Sequence, residues 1–382
     1  MKWVFSKSGY IIRNRINFPV FLLKMICGAV FLAFCTVSGQ KNINFSVLEK
    51  KNDKLIEKFR KKYDIPGLSI SVSYRNQLIY SKGSGYADVE SKKEIIPSKT
   101  KFRIGSISKT MTSVALAKLQ EQGKLNLHES VYKYLDSLPV KEYDITVEQL
   151  LSHRAGLVRE QQKGFLCGKN DLHRSNFYPS FQETVLESKP GTAYRYSNYG
   201  YILLGVLIEK LAGKSLVAAK KELVLDKAGL EHTVPDTGNF DGDTSTFYYR
   251  NDAGLKKVPC TDCSFNYGPG CYLSTSEDLV KLGNSYLYAD RILAKETFKD
   301  LLIPRNEEKT YALGFMTGRD FYRNYFFGHG GAYPGGMADL RIYPKERLVI
   351  SALINIKEDD IRMNHLLDEI IFQYLELIKK EG

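Results

Sequence analysis

Four Ser-x-x-Lys segments begin at Ser38, Ser98, Ser106 and Ser130. The spacing matters when it falls on a helix, because residues three apart share a face about one turn on. A lysine held there in a buried setting loses pKa and takes the serine proton, leaving an oxygen nucleophile. Context separates the four. Ser38 ends an apolar N-terminal run, Ser98 follows Pro97 and precedes the strand-like stretch from Phe102 to Ile104, and Ser130 sits in a polar connection. Ser106 alone opens a long apolar helical pattern, at whose N-terminus a developing anion is favoured. A capping serine followed by a surface lysine gives the same four letters, so Ser106 and Lys109 need support from elsewhere in the chain.

Two further segments supply it. Tyr-x-Asn occurs at Tyr74, Tyr196, Tyr249 and Tyr322, but only Tyr196-Ser197-Asn198 follows a Pro190-Gly191 loop and leads into an apolar helix. Loops of this kind present functional groups. A phenol beside a cationic lysine serves as acid or base, and the Asn198 amide hydrogen-bonds a substrate amide. An ordinary turn with a buried aromatic is the plainer reading. In Phe327-Gly328-His329-Gly330-Gly331-Ala332 the glycines let a ligand approach the backbone of a strand, and backbone N–H groups there suit an oxyanion. The plainer reading is a glycine-rich hairpin with a lone histidine. His153, beside Ser152, is read as structural.

The elements that must hold these groups are legible in outline. Phe45 to Tyr63 has a helical apolar pattern; Leu68, Ile70 and Val72 alternate with serines as in a strand, and Arg75-Asn76 turns the chain into a second strand over Gln77 to Ser81. The middle predicts helices over Ser106 to Gln122, Val147 to Leu151, Tyr199 to Leu211 and Ser276 to Tyr288. Strands return over Tyr311 to Thr317, Tyr325 to His329, Ala338 to Tyr343 and Leu348 to Asn355, and an amphipathic helix from Ile361 to Lys379 closes the chain. Strands at both ends and helices between them predict an α+β architecture. One antiparallel sheet is drawn from both chain ends (about 45–104 and 300–378) under terminal helices, with an inserted helical lobe (about 105–299).

Residues 1–39 carry five basic residues, no acid and the apolar run Met25 to Val37, the pattern of a signal peptide, with cleavage expected after Gly39. Export to the periplasm or medium follows; retention of the segment as a membrane anchor, or a lipid on Cys35, are the alternatives. The formal charge of +12 includes those five bases, and the remaining charges are interspersed. Neither an aromatic-and-basic RNA motif nor zinc-finger spacing is present, so nucleic acid is not an expected partner. Cys167, Cys260, Cys263 and Cys271 remain as disulfide partners, free thiols or, for Cys260 and Cys263, metal ligands of a zinc hydrolase; no His pair stands nearby at ligand spacing.

Taken in order, Phe102-Arg-Ile-Gly-Ser106-Ile-Ser-Lys109, Leu150-Leu-Ser-His153-Arg-Ala-Gly156-Leu157, Pro190-Gly-Thr-Ala-Tyr-Arg-Tyr196-Ser-Asn198 and His329-Gly-Gly331 resemble the serine β-lactamase and penicillin-binding-protein superfamily. The likeness is to its class C β-lactamase, D-alanyl-D-alanine carboxypeptidase and esterase branch. It covers about residues 45 to 378. Phe247-Tyr-Tyr, the stretch Gly268 to Asp278 and Gly283-Asn284 are similar to mitochondrial β-lactamase-like serine proteases. The resemblance implies a β-lactamase/transpeptidase-like fold. It also implies an acyl-enzyme on Ser106, activation by Lys109, proton shuttling by Tyr196 and substrate orientation by Asn198. His329, Gly330, Gly331 and Ala332 would line the substrate site, the N–H groups of Ser106 and Ala332 forming the oxyanion hole. Many relatives carry Lys-Thr-Gly where this chain has His329-Gly-Gly. That departure favours a peptidase or esterase over a true β-lactamase, since His329 is only partly charged near neutral pH and Gly330 has no hydroxyl. The implied substrate is a small peptide, ester or peptidoglycan-like molecule, with no metal or organic cofactor. A catalytically silent peptide- or peptidoglycan-binding protein of the same fold is the rival from another class.

Overall fold

The computed structural model describes residues 43–159, 174–259 and 263–381. The N-terminal side supplies strands β1 (Gly67–Tyr74), β2 (Gln77–Asp88) and β3 (Lys93–Glu94). The middle supplies β4 (Phe102–Arg103), β5 (Val234–Pro235), β6 (Tyr248–Asn251), β7 (Gly254–Lys257) and β8 (Tyr272–Ser274), and the C-terminal side β9 (Met316–Arg319), β10 (Tyr325–Tyr333), β11 (Gly336–Tyr343) and β12 (Leu348–Ile354). The helices used below are α1 (Glu49–Lys62), α2 (Ser108–Glu121), α3 (Val147–Leu151), α4 (Arg174–Glu183), α5 (Asn198–Ala212), α6 (Leu216–Lys220), α7 (Ser276–Leu287), α8 (Lys295–Leu301) and α9 (Met363–Glu381).

The two chain ends meet in one seven-stranded sheet, ordered β3-β2-β1-β12-β11-β10-β9 and antiparallel at each pairing. Leu68 faces Ile354, Ile70 faces Ala352 and Val72 faces Ile350 across the central pair. A slip of one residue would turn this apolar row to the other face, so burial fixes the register. Arg75 and Asn76 both have positive φ, the geometry of a two-residue hairpin turn. One face packs on α1 and α9 through Ile56, Phe59, Leu366, Ile370 and Tyr374. This confirms the α+β architecture with a sheet from both chain ends.

One detail adds to the sequence reading and one differs from it. The serines of β1 alternate as expected, yet they do not face solvent. Ser69 and Ser71 Oγ each lie 2.8 Å from Ser276 Oγ, and Ser73 donates to Asn284 Oδ1 at 3.0 Å. The second sheet face is thus covered by α7, a helix from the middle of the chain, through small hydroxyls that satisfy one another. The strand expected from Tyr311 begins only at Met316, because the preceding residues close a turn in which Ala312 N–H donates to Phe315 O at 2.8 Å.

Cys263 and Cys271 are buried free thiols, and Cys263 Sγ lies 3.5 Å from Asp236 O. Cys167, Cys260 and the N-terminal segment with its expected cleavage site lie outside the described residues. Among the described residues no cluster of three His, Cys, Asp or Glu side chains is arranged to hold a metal, and no helix is long and apolar enough to cross a membrane.

Candidate active site

Ser106 is placed by a short chain of local decisions. Phe102 and Arg103 pair with Ser274 and Leu273, Ile104 N–H donates to Tyr272 O at 3.1 Å, and a 3-10 turn over Gly105–Ile107 delivers the chain into α2. Met111, Val114, Ala115, Leu116 and Leu119 are fully buried, so α2 runs through the interior and carries Lys109 with it, at 0% exposure. Tyr196 sits just before α5, which is capped by Ser197 Oγ accepting from Gly200 N–H at 2.9 Å.

These elements bring the predicted groups together. Lys109 Nζ lies 3.0 Å from Ser106 Oγ, 2.7 Å from Asn198 Oδ1 and 3.0 Å from Pro269 O. Tyr196 OH donates to Ser106 Oγ at 2.9 Å. The Tyr196 and Tyr201 ring faces lie 4.9 and 5.4 Å from Nζ. As a neutral amine, Lys109 has two N–H groups and one lone pair. In that form the Asn198 and Pro269 oxygens would take the N–H groups and leave the lone pair for the Ser106 hydroxyl; as an ammonium, Nζ donates to all three oxygens. Asn198 therefore acts first on the lysine.

The seam between the 3-10 turn and β10 is glycine against backbone. A Cβ on Gly105 would lie 2.6 Å from Ala332 N, and one on Gly331 would lie 1.9 Å from Ile104 O. Only glycine lets the two backbones come this close, and the approach brings the Ser106 and Ala332 segments, the expected oxyanion donors, against each other.

His329 is 3% exposed and has both ring nitrogens engaged. Ser197 N–H donates to His153 Nδ1 at 3.1 Å, so a neutral His153 carries its proton on Nε2, 3.0 Å from Tyr311 OH. Tyr311 in turn donates to His329 Nε2 at 3.1 Å, and His329 Nδ1–H donates to Gly330 O. Burial, reinforced by the Lys109 charge, pushes the His329 pKa down to about 3. Burial holds His153 well below the usual histidine range, with Lys109 again adding to it. This corrects the expectation of a partly charged His329: the imidazole lines the cleft as a neutral, internally bonded ring. His153 is structural, as read, and its ring packs at a tilt against Tyr196 with centroids 4.2 Å apart.

A stability consequence follows. Below pH of about 6.5 the unfolded chain binds protons at His153 and His329 that the folded chain does not. Stability therefore rises with pH across the range beneath that value and is lost as pH falls, by up to about 1.4 kcal/mol per pH unit for each ring. Urea midpoints should drop between pH 7 and pH 5, and less so in a His329→Gln variant. A midpoint indifferent to pH would show that the rings are not buried in neutral form.

The cleft above Ser106 has a volume of about 820 Å³ and is lined by Met316, Met337, Ile361, Met363 and Tyr333, with Arg159 and Arg362 at its mouth. Tyr311, Arg159 and Lys220 escaped the sequence reading. Each sits in a segment whose letters resemble an ordinary strand, loop or surface helix.

The comparisons with known proteins agree with this geometry. The family model described as Beta-lactamase matches residues 52–371. The mitochondrial serine beta-lactamase-like protein LACTB of Homo sapiens is 28% identical over 326 residues, covering 67% of this chain and 59% of that protein, so the chain spans well under two thirds of that relative. The octameric penicillin-binding protein homologue from Pyrococcus abyssi superposes with a TM-score of 0.71 at 25% identity, over 80% of this chain and 73% of that one. The D-amino acid amidase of Ochrobactrum anthropi SV3, at 19% identity and a TM-score of 0.74 over 86% and 99% of the two chains, shares the fold. With the sheet, the inserted helices and the Ser106 constellation in place, the chain belongs to the Beta-lactamase family and has its β-lactamase/transpeptidase-like fold.

Proposed function

We propose that the protein is a serine hydrolase that cleaves an amide or ester through an acyl-enzyme on Ser106. The observation that carries this reading is the contact of Ser106 Oγ with both Lys109 Nζ at 3.0 Å and Tyr196 OH at 2.9 Å. Neutral Lys109 takes the hydroxyl proton as Oγ attacks the substrate carbonyl. The oxyanion is received by the Ser106 and Ala332 N–H groups. Tyr196 gives a proton to the departing amine or alcohol, and water then cleaves the acyl ester with the same groups acting in reverse.

The wall of the cleft supports a short peptide or ester as substrate over a β-lactam. A β-lactam carboxylate asks for a cation or hydroxyl on β10 beside the nucleophile, where this site has neutral His329, with both nitrogens engaged, and Gly330; the cations of the cleft come from other segments, as Arg159 and Arg362. The methionines of the cleft suit an apolar side chain of variable shape. We place the activity outside the cytoplasm on the strength of the basic, apolar N-terminal segment.

The test is intact mass after exposure to an activated ester and, separately, to a penicillin. One ester adduct is expected, absent from a Ser106→Ala variant, with the penicillin adduct slower to form. Folded wild-type protein that gains no adduct from either reagent would replace this reading with a silent binding protein.

A further inference from the structure

Lys220 looks in sequence like one of a pair of surface lysines in Ala218-Ala219-Lys220-Lys221-Glu222. In the structure it is 0% exposed, and burial alone pushes its pKa well below the usual lysine range, with no charged neighbour contributing. Its Nζ donates to Tyr267 O at 2.7 Å and lies 3.4 Å from both Ser108 O and Gly268 O, with the Tyr272 ring face 4.9 Å away. A π-helical turn over Lys221–Leu225 follows at once. Such turns are rare and concentrate at functional sites. Burying an ammonium against carbonyls alone is unfavourable, and a side chain needed only to fill the space would be apolar.

The next carbonyl along is the one that holds Lys109. Tyr267 O and Gly268 O face Lys220, and Pro269 O accepts from Lys109 at 3.0 Å. Three successive carbonyls are therefore turned toward two buried lysines. Thr112 on α2 grips the same run, its Oγ1 donating to Gly268 O at 2.6 Å. We propose that Lys220 is a positioning residue for acylation: it fixes the 267–269 carbonyls, and through Pro269 it points the Lys109 lone pair at Ser106 Oγ. If the Pro269 carbonyl turns away, a Lys109 N–H is released to rotate toward Ser106 and the lone pair leaves the line of proton transfer. This role rests on the acyl-serine reading above.

The experiment measures inactivation of the full chain by a fluorophosphonate. Ser106 Oγ forms a bond to phosphorus, the P–F bond breaks, fluoride leaves and Lys109 receives the proton. Saturation kinetics give binding (KI) and reaction (kinact) separately. Lys220→Met is expected to lower kinact about tenfold, less than outright loss of the base, with KI within about twofold because Lys220 does not line the cleft. Thr112→Val is expected to lower kinact about threefold in the same way. A folded Lys220→Met protein that reacts at the wild-type rate, or one whose loss merely tracks its unfolded fraction, overturns the proposal. If Lys220→Met does not fold, Thr112→Val decides: slower reaction at unchanged KI supports the role, and the wild-type rate overturns it. Wild-type protein that takes no label at all would remove the acyl-serine reading and this role with it. A labelled wild type beside an equally fast Lys220→Met would remove this role alone.

Discussion

Replacing Lys109 with methionine is expected to slow acylation of Ser106 by a 4-nitrophenyl ester about 10³-fold, within the range for loss of a positioned general base. That corresponds to about 4 kcal/mol of barrier. Methionine keeps the apolar stem and ends one atom short, so the change removes the amine together with its contacts to the Tyr196 and Tyr201 ring faces. Three effects act together. Ser106 loses the group that takes its proton, the Asn198 and Pro269 oxygens lose their donor, and the cation that depresses His329 and His153 disappears. The histidines should consequently titrate closer to their ordinary range in the variant, even though burial still opposes the charge. Stopped-flow release of 4-nitrophenolate measures the acylation rate directly. A loss of less than about tenfold would mean that another group takes the serine proton, and Tyr196 would be the first to examine.

The second large effect concerns stability. Arg103, 2% exposed, and Asp236, 0% exposed, form an ion pair of 2.7 Å between Nε and Oδ2. Arg103 also donates to Pro334 O at 2.7 Å and lies under Phe247, with its guanidinium 4.3 Å from the ring centre. Asp236→Ala leaves this guanidinium buried without its anion, which costs about 3–5 kcal/mol. Two-state urea unfolding should show it as a shift in midpoint at constant slope. The same change frees the turn that follows Ala332, so residual folded protein should also acylate more slowly. Arg103→Met with Asp236→Leu, which removes both charges, should recover most of the lost stability. A single Asp236→Ala protein as stable as the wild type would mean that water reaches the pair.

The sequence carried the site further than it carried the walls around it. Ser106, Lys109, Tyr196 and Asn198 were legible because each opens or precedes an apolar helix, and a helix end positions a side chain by purely local rules. The paired strands were legible where alternation was clean, as in Leu68 to Val72. Local rules fail where the partner is distant. The alternation of the β1 serines was legible, but nothing nearby in sequence announces that Ser276 will cover them. Tyr311 read as a strand residue, and its use as a bridge between two histidines depends on segments that meet only in three dimensions. His329 read as a half-charged group because its ordinary pKa was assumed, and burial sets the actual one. Lys220 shows the same limit, since a lysine among alanines carries no signal that its helix will turn it inward.

The sheet that joins the two chain ends has a consequence for biogenesis. Its central ladder pairs β1 with β12, so the strand made first waits for one made nearly last. The two backbone donors proposed for the oxyanion divide in the same way, Ser106 coming from the early part of the chain and Ala332 from the late part. Long-range pairings of this kind close slowly, and an unpaired strand such as β1 is exposed to wrong partners until they do. A nascent or truncated chain therefore holds Ser106 and Lys109 without a place for the oxyanion. On the proposed acyl-serine reading, hydrolysis becomes possible only as a late event of folding, and Ser106 is kept idle while the protein is still being assembled.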